Sequence, residues 1–383
     1  MLKLFTKECN KKLFSLVVFL LFTVQSIFPL TTYAEDNPKN INTDSIRAKI
    51  TQIVSTKKKN ITAGDKDIIL EEQTLKIQIL SGKHKGESVI VKNTADPSRQ
   101  GNLIFNEGDQ VFLSISEDNK GNIASSNIYQ VARDKPLTYL LVFFIFSMLL
   151  IGKGKGFKSI ITLTFTCFMV IKVFLNLILQ GYNPITISIF VCIAITIVSL
   201  VMIGGINRKT ISAIIGTTSG VVISGIISFI VVNMTKVSGV GTEEAQLLMD
   251  IPLKYTLDFK AILFAAILIG ALGAVMDVGM SIASTMTEIK EAHPKISTGK
   301  LMKAGMVVGR DTMGTMATTL ILAYISGSIC LVLGYLANNS NFLDIVNQDM
   351  IACEIIKTLA GSIGLIFTIP ITVIVCCILN KNS

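Results

Sequence analysis

Charged residues are scarce in this chain. They make up 16% of its 383 residues, whereas hydrophobic residues make up 50%, and soluble domains carry about 25% charged residues. The formal net charge of +9 lies mainly at the ends of apolar segments, where positive charge reflects membrane orientation. The composition therefore predicts a polytopic membrane protein embedded in the lipid bilayer, and it excludes nucleic acid as a partner.

Histidine is rare, and cysteine is missing from one long region. The chain has two histidines, His84 and His293, and neither is near a cysteine, so a zinc or haem site has little support and no cofactor is expected. Residues 35–135 contain no cysteine. That absence excludes an exported domain stabilised by disulfides.

Catalytic motifs are also lacking. The sequence has no nucleophile elbow, HExxH pair or dinucleotide-binding fingerprint in a fitting context. The stretch GKGKG at 152–156 has no preceding strand and no terminal GK[ST], so we interpret it as a tight basic turn between helices. An enzyme is therefore not predicted.

The first 34 residues have the composition of a secretory signal peptide. A basic start precedes an apolar run from Leu13 to Leu30, and Thr32 and Ala34 occupy the small-residue positions before a cleavage site. The apolar run exceeds the usual core of about 7 to 15 residues, so an uncleaved anchor is the alternative. In either case we expect the following residues to be exported.

Residues 35–135 are predicted to form a small exported β-rich domain, a barrel or a sandwich. Runs such as KIQIL, ESVIVK and DQVFLSIS alternate apolar and polar residues and are separated by SGKHKG and EDNKG, which is typical of strands and turns. The simplest interpretation is a folded spacer or sensor without an active site. The alternative is a domain that binds a protein partner.

Residues 136–383 are predicted to form a transmembrane helical domain, because a helix needs about 20 apolar residues to cross the hydrocarbon. We count about seven transmembrane helices, at 137–151, 159–180, 184–204, 211–233, 260–284, 313–336 and 355–379. Lysine and arginine are concentrated in alternate connections, which agrees with the signal peptide on one orientation. This orientation places residues 35–135 outside the cytoplasm and the C-terminus inside.

Asp277 is a charge inside the fifth apolar segment, in the run GALGAVMDVGMSIAST at 270–285. Such a residue costs at least about 2.5 kcal/mol on insertion scales and usually faces a partner, a cavity or a pathway. Its small neighbours predict that this helix packs closely within the bundle. Two interpretations stay open, a carboxylate that binds a proton or cation and a structural carboxylate paired with a neighbouring helix.

Arg310 and Asp311 are predicted to open the sixth apolar segment, within GMVVGRDTMGTMATTLILAY at 305–324. An aspartate in a first helical turn is favoured by the helix dipole, and an arginine there faces phosphate headgroups. The alternative is that Arg310 reaches Asp277, because a buried carboxylate needs a partner.

Lys172 is a further charge in an apolar segment, the second one. Its long stem reaches the outer surface in one interpretation, and it forms a membrane ion pair with Asp277 in the other. Glycines around the charged runs are predicted helix-packing positions. They are Gly270, Gly273, Gly279, Gly305, Gly309 and Gly314.

The two charged runs, the stretch between them and the QGYNP after Lys172 carry a resemblance to a known family. Together they resemble the YibE/F-like family of bacterial multi-spanning membrane proteins, over residues 137–380 and most strongly over 260–327. The resemblance implies a multi-pass protein of the bacterial cytoplasmic membrane with an exported N-terminal portion, and it implies no established activity. The positions that match the family motif are Asp277, Ser281, Gly309, Arg310, Asp311 and Gly314.

Two functional hypotheses follow. The first is a permease-like transporter of a small solute or ion, in which Asp277 is the coupling or ion-binding carboxylate and Arg310 with Asp311 forms an inner gate. The second is a non-transporting assembly or signalling component whose exported domain binds a protein partner.

Overall fold

The computed structural model describes residues 46–63, 66–95, 103–118, 121–241 and 243–380. The predicted signal peptide or anchor at 1–34 lies outside these ranges. Contacts within the chain define two compact units, one within residues 36–147 and one within residues 148–383. The first contains an antiparallel sheet and the second is helical, which confirms the predicted fold class.

Five antiparallel strands form the sheet. They are β1 (Ile46–Ala63), β2 (Lys66–Ile79), β3 (Ser88–Ala95), β4 (Gln110–Glu117) and β5 (Ile123–Val131). Their order is β3-β2-β1-β4-β5, and the edge strands β3 and β5 approach each other. The sheet is therefore curved towards a barrel.

Alternation along the strands places the core on one face of the sheet. In β2, Leu75, Ile77 and Ile79 are buried, whereas Lys76 and Gln78 between them are exposed, as the two-residue period of a strand requires. The buried residues pack against apolar residues of β1, β3 and β4. This one-sided core explains why the alternating runs of the sequence were sufficient to predict strands.

The hairpin of β1 and β2 extends beyond the rest of the sheet. Pairing between them continues to Ala63 and Lys66, but β3 pairs with β2 only as far as Glu71, and β4 pairs with β1 only over Ile46–Lys49. The distal part of the hairpin is therefore a two-stranded ribbon, and a ribbon of two strands has little stability of its own.

Most of the chain after the sheet is long helices, of which the first begins among the residues of the first unit. The elements are α1 (Asp134–Phe168), a π-helical segment (Met169–Phe174), α2 (Leu175–Leu179), α3 (Pro184–Gly204), α4 (Arg208–Thr235), α5 (Glu243–Met249), α6 (Phe259–Ala292), α7 (Thr298–Ala337), α8 (Phe342–Val346) and α9 (Asp349–Asn380). Side chains of Asn183, Asn207 and Asp258 accept hydrogen bonds from first-turn amides of α3, α4 and α6. These caps fix where the three helices begin.

Six helices of the described chain are long and apolar enough to cross a membrane. The first runs from Asp134 to Leu179 and contains the first two predicted segments. Lys153 interrupts it with φ 47° and ψ −129°, and a Cβ on Gly156 would overlap the carbonyl oxygen of Met148. In a straight helix, Met148 and Gly156 would be eight residues and about 12 Å apart. Their close approach therefore means that the chain folds back at the predicted basic turn. The count of about seven helices is therefore consistent with the fold.

The helix α6 is at the centre of the bundle. It packs against α3, α4, α7 and α9, and 56% of its most apolar stretch is buried. The sequence prediction that this span lies within the bundle, made from its small residues, agrees with these contacts.

A close-packed seam joins α4 and α9. A Cβ on Gly216 would overlap the hydroxyl of Thr372, and one on Gly220 would overlap the hydroxyl of Thr368. Several buried hydroxyls of the bundle, including Ser224 and Thr372 at this seam, have no hydrogen-bond partner among the described residues; the others are those of Ser199, Thr210, Thr217 and Ser362. Small residues thus bring the two backbones together, as is usual where lipid supplies no hydrophobic drive.

Candidate functional site

One face of α6 carries Gly270, Gly273, Asp277 and Ser281, and all four are exposed on the single chain. Their spacing of three or four residues aligns them in one strip along the helix. The other faces of α6 contribute to the buried core. The predicted carboxylate therefore lies on an outer surface of the chain, along a strip of small residues.

Contacts at both ends show how α6 and α7 run side by side. Gly305 packs against Met286 close to the connecting loop, and Gly270 packs against the Tyr324 hydroxyl at the far end. The helices are antiparallel, so these contacts place Asp277 at the level of about residue 315. By the same register, Ser281 lies at the level of Arg310.

Open space surrounds two glycines at this level. A Cβ added to Gly273 on α6 or to Gly314 on α7 would have no neighbour within 4 Å in the described chain beyond its own helix turn. By contrast, a Cβ on Gly309 would overlap Ile369. We call the exposed surface the α6–α7 face, and define it by Gly273, Asp277, Ser281, Arg310, Asp311, Gly314 and Thr315, all of which are exposed.

The positions of Arg310 and Asp311 correct one prediction. The helix α7 begins at Thr298, twelve residues before Arg310, so the assignment of both charges to a first helical turn is wrong. Lys300 and Lys303 in its first turns are exposed, and such side chains can extend into water while the backbone continues its hydrogen bonds. A favourable helix dipole therefore does not explain Asp311.

The charges of the face have no ionic partner in the described part of the chain. Among the residues that the structure describes, no basic nitrogen lies within 4.0 Å of the Asp277 carboxylate, and no acidic oxygen lies within 4.0 Å of Arg310 or Lys172. The pairings of Asp277 with Arg310 and with Lys172 are therefore not formed within these residues.

Lys172 lies apart from the α6–α7 face in sequence and in fold. It is half-buried in the π-helical segment, and its carbonyl accepts a hydrogen bond of 2.8 Å from the Asn176 amide. Short π-helical insertions often occur at functional sites. The structure thus adds a reason to consider Lys172 but does not join it to Asp277.

Sequence reasoning missed a polar cluster at the far end of α6 and α7. Glu354 and Lys357 of α9 form an ion pair, with side chains 20% and 17% exposed. A Cβ on Gly361, one turn further along α9, would contact Ala271 of α6 and Leu320 of α7, and the Tyr324 hydroxyl packs against Gly270 at the same end. The available signal was a glutamate and a lysine three residues apart at the start of an apolar segment.

A second charged cluster lies in the sheet unit. His84 is 6% exposed; its Nε2 lies 2.9 Å from Glu117 and its Nδ1 lies 3.2 Å from Glu87. The hydrogen bond with Glu117, followed by that with Glu87, raises the pKa of His84 above its ordinary 6.5. Lys83 and His84 in turn lower the pKa of Glu117. This cluster ties the turn after β2 to the end of β4.

Family comparison covers most of the chain. Residues 140–382 match the family described as YibE/F-like protein, and residues 41–131 match the YibE/F family N-terminal domain. No curated protein and no solved structure matches the chain. The two matched regions correspond to the helical unit and the sheet unit.

Proposed function

The protein belongs to the YibE/F-like family, and from that premise we propose that it is a permease-like carrier of a small solute or ion. In this proposal, Asp277 binds a proton or a small cation. This ion is either the transported ion or the coupling ion whose gradient drives transport. The protein resides in the bacterial cytoplasmic membrane, with the sheet unit outside and the C-terminus inside.

A single observation carries the proposal. Asp277 is exposed within a helix that is long and apolar enough to cross a membrane, and the described residues give it no ionic partner. A charge facing hydrocarbon costs at least about 2.5 kcal/mol, and such residues usually mark a pathway or a ligand site. A polar pathway along the α6–α7 face accounts for this carboxylate.

Other residues of the face have supporting roles in the proposal. The Ser281 hydroxyl, level with Arg310, supplies an oxygen ligand between the connecting loop and Asp277. Arg310 and Asp311 lie nearer that loop and form the inner gate, where Arg310 also attracts anions. Lys172 is outside this face and modulates transport through the conformation of the π-helical segment.

Reconstitution tests the proposal. We would seal purified protein in liposomes with entrapped dyes sensitive to pH, sodium or potassium, impose a gradient of the matching ion, and record flux. Wild-type protein should carry at least one of them. Asp277→Asn should lose the flux because an amide cannot exchange a proton or hold a cation as a carboxylate does. Asp344→Asn is the matched control, since Asp344 is an exposed aspartate of α8.

The proposal fails if wild-type liposomes carry none of these ions and none of a panel of small metabolites. It also fails if Asp277→Asn folds and carries the ion at the wild-type rate.

The ribbon of β1 and β2 favours a second candidate, a non-transporting assembly or signalling component. The ribbon continues past the last β2 to β3 pair at Glu71 and Ala95. In the described chain, the strand edges beyond that pair are not bonded to β3 or β4, and free strand edges pair readily with a partner. This candidate places function in the exported unit.

Deleting the ribbon separates the two candidates. Replacing residues 57–71 by a two-residue turn should leave ion flux intact if the protein is a carrier. The same deletion should abolish the cellular phenotype, without loss of membrane abundance, if the exported unit acts by binding a partner.

A further inference from the structure

We infer that a second copy of the chain covers the α6–α7 face and completes the site, with Asp277 of each protomer facing Arg310 of the other. The inference rests on the proposed function in one respect, because the site that the second copy completes is the Asp277 site proposed above. Its test measures assembly and not flux, so the two can fail separately.

Burial indicates that α7 is not fully packed in a single chain. Only 11% of the most apolar stretch of α7 is buried, whereas 56% of the most apolar stretch of α6 is buried. The exposed part of α7 includes Arg310, Asp311 and Thr315, and charged side chains that face hydrocarbon are costly. The face is therefore incomplete without a covering surface.

Glycines make the face suitable for close helix packing. Among the described residues, and apart from the adjoining backbone of its own helix, neither Gly273 nor Gly314 has an atom within 4 Å of the position that a Cβ would occupy. Small residues at such positions let membrane helices approach closely. At the α4–α9 seam, the same residue type is already used for packing within the chain.

Charge complementarity selects a second copy as the covering surface. The face carries two acids, Asp277 and Asp311, and one base, Arg310, all of which are exposed and lack ionic partners among the described residues. The pair considered is Asp277 and Arg310. Their levels differ by about five residues, or about 7 Å, which the long arginine side chain can bridge. A two-fold axis along the membrane normal brings each Asp277 to the Arg310 of the other copy, because a two-fold interface is self-complementary.

Differently tagged copies in lipid nanodiscs test the inference. Wild-type copies with two tags should co-purify. Asp277→Lys should weaken co-purification with itself, and so should Arg310→Glu, because like charges then meet. A mixture of Asp277→Lys copies with Arg310→Glu copies has two matched pairs and should co-purify about tenfold better than either variant alone.

The mixed pair distinguishes a contact between copies from one within a chain, since no single chain in the mixture has a matched pair. If either charge variant fails to fold, Gly314→Phe replaces it and should abolish co-purification. Val222→Phe on α4 is its control, because Val222 is 46% exposed and α4 packs on α3, α6 and α9.

Absence of wild-type co-purification, together with single-step photobleaching, would overturn the inference. A dimer that persists unchanged in the like-charge variants and in Gly314→Phe would also overturn it, because the copies would then meet elsewhere. Dimers that form while liposomes show no flux would support the interface and count against the carrier.

Discussion

The α4–α9 seam and the α6–α7 face are built from similar residues but differ in packing. At the seam, a Cβ on Gly216 or Gly220 would overlap a threonine of the facing helix. At the face, a Cβ on Gly273 or Gly314 would meet no other described residue within 4 Å beyond its own helix turn. Small residues in a membrane helix therefore indicate either a contact already made within the chain or a surface available to something else.

The charges follow the same division. The seam contains hydroxyls, whereas the face contains Asp277, Arg310 and Asp311. Neutral hydroxyls buried without partners cost about 1 to 3 kcal/mol each, which tight packing can offset. A charge in hydrocarbon is more costly and usually marks a pathway or a ligand site. This cost is the basis of the functional proposal.

Glycine replacement should give the largest difference between the two regions. Gly220→Val forces a side chain onto the Thr368 hydroxyl and the Gly364 carbonyl, and overpacking should cost about 3 kcal/mol. Gly314→Val should leave the fold of each chain close to wild type. Fluorescence-detected chromatography after heating measures both. Equal loss of folded protein in the two variants would remove the distinction between seam and face.

Two serines one turn apart on α4 test how much the hydroxyls at the seam contribute to stability. The Ser224 hydroxyl has no partner among the described residues, whereas the Ser228 hydroxyl donates to the Ser224 carbonyl at 2.7 Å. Ser224→Ala should be neutral or stabilising, and Ser228→Ala should lose about 1 kcal/mol. Thermal unfolding of both variants checks this. The reverse order would mean that the Ser224 hydroxyl has an essential partner.

The smallest effect is expected in the sheet unit, where the buried His84 is paired with two glutamates that are exposed to water, Glu87 and Glu117. Hydrogen bonds to Glu117 and Glu87 raise the pKa of His84 above 6.5. The stabilisation is therefore fully present below the unfolded value and is lost as pH rises through the folded pKa. Glu117 stays ionised in the acidic part of this window, because Lys83 and His84 lower its pKa.

Hydrogen exchange of the full chain measures this pH dependence. After correction for intrinsic rates, the turn at 81–86 should be better protected at about pH 5.5 than at about pH 8.5. His84→Gln should remove the difference because glutamine does not titrate. If the pH dependence is unchanged in His84→Gln, a group other than His84 causes it.

Hydropathy and alternation were sufficient for the fold class, because a membrane span and a one-sided sheet each impose a simple pattern. They did not locate the start of α7. Lys300 and Lys303 interrupt the apolar pattern before Arg310, yet both lie within the helix. The sequence also could not show that Gly273 faces open space while Gly309 packs against Ile369, since this depends on which helices are neighbours.

The central claim is that Asp277 faces a polar path and not lipid. Thiols react as thiolates, which need water, so reactivity of Asp277→Cys in a variant lacking the seven native cysteines tests it most directly. A small charged thiol reagent should modify this cysteine at least about tenfold faster than Ile226→Cys, a lipid-facing control that is 55% exposed on α4. Equal and negligible reaction at both positions would contradict the account.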